Sequence, residues 1–184
     1  MVVHACVIAP VTAPLGELIS AQRHALQLPN VPPQPHLTLL PPVVFHHGDE
    51  SALIEQVRTV ARAHHRIELQ VAGVATFAPT TPVVYFPVTG DLKAIQALHR
   101  DLTSPYCPGD FRYPYIPHVT LTWLPTATAA RRVADTPQLA QFRGQCTLSH
   151  LVVVVGQLPD RWETIAEIAL PAPQRSGLRS VSSA

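Results

Sequence analysis

Pro35-His36-Leu37-Thr38-Leu39 returns later in the chain as Pro117-His118-Val119-Thr120-Leu121. Both copies read Pro-His-apolar-Thr-Leu. In an extended strand, successive side chains take opposite faces. His36 and Thr38 therefore share one face, with Leu37 and Leu39 on the other. His118 and Thr120 stand against Val119 and Leu121 in the same way. Each copy sets an imidazole and a hydroxyl two strand rises apart, about 6.6 Å, over an apolar underside. Two such copies around one cavity would supply two acid–base groups and two hydroxyl donors, a set suited to a phosphodiester.

The surroundings of the copies also match. Val2 to Ala9 reads as a buried strand. Leu15, Leu18, Ile19, Ala25 and Leu26 form the stripe of a first helix, with Thr12 as its cap and Pro14 in its first turn. The first motif strand runs from His36 to Phe45, where Pro41-Pro42 are expected to disturb further pairing. Asp49 can cap a second helix carrying Leu53, Ile54, Val57, Val60, Ala61 and His64, and Arg66 to Phe77 reads as a strand.

The order then restarts. Pro82 to Val88 is predicted as a strand, with Pro87 implying an edge or bulge. A helix opens at Gly90-Asp91 and carries Leu92, Ile95, Leu98 and Leu102. A loop rich in Tyr, Pro and Gly, from Ser104 to Pro117, leads into the second motif strand, His118 to Leu124. Thr128 to Phe142 is predicted as a helix that Pro137 must kink or divide. Gly144 to Val155 and Trp162 to Leu170 read as the last two strands. The copies of the motif lie 82 positions apart (118 − 36). Repetition at a steady offset predicts an α+β fold built as a bilobal, pseudo-two-fold duplication. Its two antiparallel sheets would line a central cleft, with helices outside. One domain over residues 1–171 is expected, its halves roughly 1–78 and 79–171, with 172–184 as a disordered tail.

Composition narrows the partners. Formal net charge is +1, which argues against an extended nucleic-acid groove but not against a small nucleotide or an RNA end. No apolar run approaches the length of a membrane span, and the start lacks the marks of a signal peptide. Cys6, Cys107 and Cys146 have no CxxC spacing and read as reduced, mostly buried thiols. A cytoplasmic monomer is expected. The remaining histidines, His4, His24, His46, His47, His64, His65, His99 and His150, lack the i, i+4 spacing of helical metal ligands, so no metal and no cofactor is expected. Phe111, Tyr113 and Tyr115, just before the second motif, can stack on a base or pack the loop. Arg112 is a candidate phosphate or base contact. Phe77 and Phe86 read as core.

Two His-x-Thr-x copies led by Pro, in matching halves, resemble the two-histidine (2H) phosphoesterase superfamily, and within it the 2'-5' RNA ligase and cyclic phosphodiesterase branch. The likeness extends from Val2 to about Leu170 and includes the wording Tyr115 to Leu121. The resemblance implies the bilobal α+β fold and a metal-independent site. It implies His36 and His118 as catalytic acid and base, and Thr38 and Thr120 as phosphate donors. For a 2'-phosphate product it gives His118 the base role and His36 the acid role, although the near-symmetry of the site allows the exchange. The implied activity is hydrolysis of 2',3'-cyclic phosphates or 2'-5' bonds of nucleotides or RNA ends. The alternative is a binding module for phosphorylated nucleotides or RNA ends without turnover. Ligation would be the reverse of hydrolysis, since Lys93, the sole lysine, sits on a predicted surface helix. One departure stands out. The family pattern has Arg shortly after the second motif, where this chain has Trp123 and Leu124. Alternation would turn Trp123 away from His118.

Overall fold

The computed structural model describes residues 3–29, 32, 34–46, 48–106, 113–157 and 161–173. In chain order the elements are β1 (Val3–Pro10), α1 (Leu15–Ala25), β2 (His36–Phe45), α2 (Glu50–Ala63), β3 (Ile67–Ala72), β4 (Ala75–Thr76) and β5 (Val83–Gly90). These are followed by α3 (Leu92–Thr103), β6 (His118–Trp123), α4 (Ala127–Ala134), α5 (Pro137–Ala140), β7 (Arg143–Leu148), β8 (His150–Gln157) and β9 (Arg161–Ala169). The strands form one curled antiparallel sheet in the order β7-β3-β5-β6-β2-β1-β8-β9, with β4 attached to β5. The helices pack on one face and enclose a core that includes Leu15, Ile19, Leu37, Leu53, Phe86, Leu98 and Leu121. Each large side chain buried there contributes about 1.5–3 kcal/mol.

The middle of the sheet is pinched. The motif strands β2 and β6 are neighbours joined through a single pair, Leu37 with Val119. They meet edge to edge at this seam, and a half-sheet extends to either side. The pairing crosses the sequence boundary near residue 78. β3, from the first half of the chain, lies beside β5 and β7. β8, from the second half, lies beside β1. The helices cross over as well, with α1 against β6 and α3 against β2.

Several local expectations are corrected. The α1 stripe that is buried is Leu15, Gly16, Ile19 and Arg23, and Leu18 is exposed. Thr12 caps α1 through its backbone carbonyl, which accepts from Gly16 N–H, and not through its hydroxyl. Gly16 is needed there because a Cβ would lie 2.5 Å from the Val11 carbonyl oxygen. Pro41-Pro42 do not end the pairing; β2 absorbs them as a register shift and pairs with β1 as far as Phe45. Pro87 lies on an interior strand, at the point where β5 passes from β4 to β3, so its missing N–H costs no ladder bond. The predicted strand Gly144 to Val155 is two strands broken at Ser149, and they lie in opposite half-sheets. Pro137 divides its helix by starting α5. The expected caps differ too: Asp91 accepts from Ala94 N–H at 3.1 Å, whereas the Asp49 side chain makes no capping bond. The expected tail lies mostly outside the described residues, as do Cys107, Phe111 and Arg112.

Candidate active site

The antiparallel register at the seam places His36 opposite Thr120 and Thr38 opposite His118. All four side chains are half-buried, while Leu37, Leu39, Val119 and Leu121 are fully buried beneath them. Each imidazole is oriented in the same way. His36 Nδ1–H donates to the Gln34 carbonyl at 2.9 Å, and His118 Nδ1–H donates to the Ile116 carbonyl at 2.7 Å. A carbonyl only accepts, so Nδ1 carries a proton and Nε2 is the nitrogen left for chemistry. Burial lowers the pKa of both imidazoles, and the bonds to Gln34 and Ile116 partly offset it. His36 is lowered further by the positive charge of His118 and of Arg23.

Each motif strand carries one extra residue at the leucine that closes the motif. Ile8 pairs with Thr38 and Val7 with Leu40, which leaves Leu39 over. Tyr85 pairs with Thr120 and Val84 with Thr122, which leaves Leu121 over. Such bulges release backbone carbonyls from the ladder, and buried carbonyls need donors. Helix side chains supply them. Arg23 of α1 is 3% exposed. It donates from Nε to Leu121 O at 2.7 Å and from Nη2 to Thr120 O at 3.1 Å. His99 of α3 donates from Nδ1 to Leu39 O at 2.6 Å, and the Tyr115 hydroxyl donates to Thr38 O at 2.9 Å. The rings of His99 and Tyr115 stack with centroids 3.6 Å apart.

The second bulge reverses the alternation beyond it. Thr122 turns inward and is fully buried, with its hydroxyl donating to Pro29 O at 3.0 Å. Trp123 pairs with Val83 and so returns to the face of His118 and Thr120, where it is 56% exposed. The expectation that Trp123 faces away is thus overturned, because simple alternation does not count the extra residue at Leu121.

On the other side of His118 lies a cavity of about 510 Å³ lined by Thr38, Pro41, Phe77, Tyr113, Tyr115 and His118, among others. Phe77 is part of this wall and not of the core. It stacks on Tyr85 at 4.1 Å and meets the His118 ring edge-on at 4.9 Å. Phe86 is core, stacked on Phe142. Tyr113 is exposed at the cavity, and Tyr115 lines it while bridging to β2. Arg23 was not singled out from sequence, His99 was placed among the scattered histidines, and Phe77 was read as core. The first two had a signal, since each is a basic residue on the buried stripe of its helix, four positions after Ile19 and Ile95 respectively. Among the described residues, no group of three or more His, Cys, Asp or Glu side chains could hold a metal ion. Nor is any described helix long and apolar enough to cross a membrane. Cys6 and Cys146 are buried and free, and burial pushes the Cys6 thiol up to about 12.

A paired-motif seam inside a curled antiparallel sheet defines a class of protein, and comparison with known families agrees. Residues 12–159 match the family model of the 2'-5' RNA ligase superfamily. The chain belongs to that superfamily, a group of 2H phosphoesterases. Two bacterial relatives carry the name "Putative phosphoesterase". One, from Oceanobacillus iheyensis, is 29% identical over 87 residues, 47% of this chain and 51% of its own. The other, from Shouchella clausii, is 30% identical over 104 residues, 54% and 57% of the two chains. The chain thus spans about half the length of the curated relatives it matches. The fold is that of E. coli LigT, crystallised with 3'-AMP, at a TM-score of 0.72 and 17% identity over 92% of this chain and 99% of that one. A Thermus thermophilus protein has a TM-score of 0.66 at 15% identity, over 95% and 100% of the two chains.

Proposed function

We propose that this chain is a metal-independent phosphoesterase that hydrolyses 2',3'-cyclic phosphate or 2'-5' phosphodiester bonds of nucleotides or RNA ends. The observation that carries the proposal is the seam itself. Two imidazoles, each with Nδ1 tied to the carbonyl two residues before it, stand opposite the threonine of the other motif. Hydrolysis of a phosphodiester needs a base for the attacking oxygen, an acid for the leaving oxygen, and donors for the non-bridging oxygens. In the direction that yields a 2'-phosphate, His118 Nε2 takes a proton from water. The water oxygen bonds to phosphorus as the P–O3' bond breaks. His36 Nε2–H protonates O3', and Thr38 and Thr120 donate to the charged oxygens. The seam's near-symmetry permits the exchanged roles for a substrate bound in the opposite sense.

Tyr113 and Tyr115 line the cavity beside His118 and are proposed to contact the nucleoside. A nucleotide ligand accords with the 3'-AMP and ATP complexes of LigT, a protein of the same fold. The test is incubation of purified protein, in EDTA, with nucleoside 2',3'-cyclic phosphates and 2'-5' linked dinucleotides, with product positions read by NMR. Turnover of at least one is expected. Tight binding with no turnover of any would leave only the binding-module reading standing.

A further inference from the structure

We infer that Trp123 is a stacking platform for the nucleobase on the far side of the scissile phosphate, so that the site binds a 2'-5' linked dinucleotide better than a nucleoside 2',3'-cyclic phosphate. This rests on the phosphoesterase reading and deepens it.

Four observations carry the inference. The bulge at Leu121 turns Trp123 onto the face that bears His118 and Thr120. Its indole is 56% exposed although it sits on an interior strand of the sheet. The backbone on either side of it is held: Thr122 is buried and bonded to Pro29 O, and Leu124 N–H donates to Pro82 O at 3.0 Å. The bulge is itself held by both Arg23 bonds. A fixed, exposed indole is a preorganised surface for a planar partner.

Its place along the cleft selects the partner. β6 runs His118, Thr120, Trp123 on this face, and the cavity of about 510 Å³ lies at the His118 end. Trp123 lies at the opposite end, beyond Thr120 and the His36 that faces it. Three residues with one taken up in a bulge span about 7–10 Å. A phosphate held between Thr38 and Thr120 therefore has a half-open cavity on one side and an exposed aromatic face on the other. A nucleoside 2',3'-cyclic phosphate fills only the first. A 2'-5' linked dinucleotide carries a nucleoside on each side of the scissile phosphate and so offers its second base to the indole.

The experiment compares a nucleoside 2',3'-cyclic phosphate with a 2'-5' linked dinucleotide. Wild type is expected to show the lower KM for the dinucleotide. In Trp123→Ala that preference should fall about 5- to 100-fold, the loss of one base stack, and should appear in KM. Trp123→Phe should retain most of it. In a Trp162→Phe background, where Trp123 is the sole tryptophan, a 2'-5' linked dinucleotide bound to the inactive His36→Ala variant should quench fluorescence and a nucleoside 2'-phosphate should not. An unchanged preference in Trp123→Ala, or equal quenching by both ligands, overturns the inference while the phosphoesterase reading stands. If wild type turns over neither substrate, the phosphoesterase reading fails, and absence of dinucleotide quenching then removes the Trp123 site as well.

Discussion

Arg23 and His99 hold equivalent places in the two halves of the molecule. Each projects from a helix that lies over the other half, and each donates to the carbonyl of the leucine left over in a motif strand, Leu121 and Leu39 respectively. The requirement comes from the bulges. An extra residue exposes carbonyls inside a packed layer, where water cannot reach them. A guanidinium meets two such carbonyls, while an imidazole meets one and leaves the second to Tyr115. The two halves thus reach one backbone geometry through different donors.

Arg23→Met should destabilise the fold by about 2–4 kcal/mol, because two buried carbonyls lose their donor. Arg23→Lys should recover part of this at most, since an ammonium lacks the forked geometry. Chemical denaturation measures both. Arg23→Met also removes a charge that lowers His36, so the His36 pKa should rise. NMR titration of the His36 ring reads that shift, and an unchanged pKa would refute the coupling.

His36→Ala and His118→Ala should each lower kcat by about 10²–10⁴-fold. The double variant should fall well short of the product of the two losses, because acid and base act in one step. Fully multiplicative losses would argue for independent roles.

The pH profile follows from burial. His36 and His118 both lie below the usual imidazole value in the free site. The alkaline limb of kcat/KM, set by the protonated partner, should therefore fall below pH 6.5, with activity already declining at neutrality. A bound phosphodiester anion favours imidazolium, so the kcat profile should sit at higher pH than that of kcat/KM. Stability has the opposite trend. Burial lowers His36, His99 and His118 below the usual imidazole value, so the unfolded chain takes up protons first as pH falls. Their contribution is complete above about pH 6.5 and is lost as pH drops through their lowered folded values. Melting temperature should accordingly be lower at pH 5 than at pH 7.5.

Thr38→Val and Thr120→Val keep the strand and remove one hydroxyl each. Each should reduce kcat by about 10²-fold with little change in stability. Steady-state kinetics beside thermal melts separates the two effects.

Much of this was legible in the sequence. Proline and glycine mark the element ends, and the motif faces obey strict alternation from His36 to Leu39 and from His118 to Leu121. What escaped were features that leave no periodic trace. A one-residue bulge changes no composition, yet it decides where Trp123 points. The break at Ser149 carries neither Pro nor Gly, stands just before the apolar run Leu151 to Val155, and sends β7 and β8 to opposite half-sheets. The place of Pro87 depends on where β5 changes neighbours, which is a tertiary fact. Phe77 joins the site only because it lies against Tyr85 and His118.

The crossing of β3 and β8 sets an order of events during synthesis. β1 emerges first, but one of its two neighbours is β8, made almost a whole chain later. β3 likewise waits for β5 and β7. Neither half-sheet is complete until β7 and β8 are made, after both motif strands of the seam. Until then the nascent protein carries open strand edges, whose unpaired backbone groups are the hazard such edges bring. A duplication that looks like two units in sequence is therefore one in which neither unit completes its sheet without strands from the other.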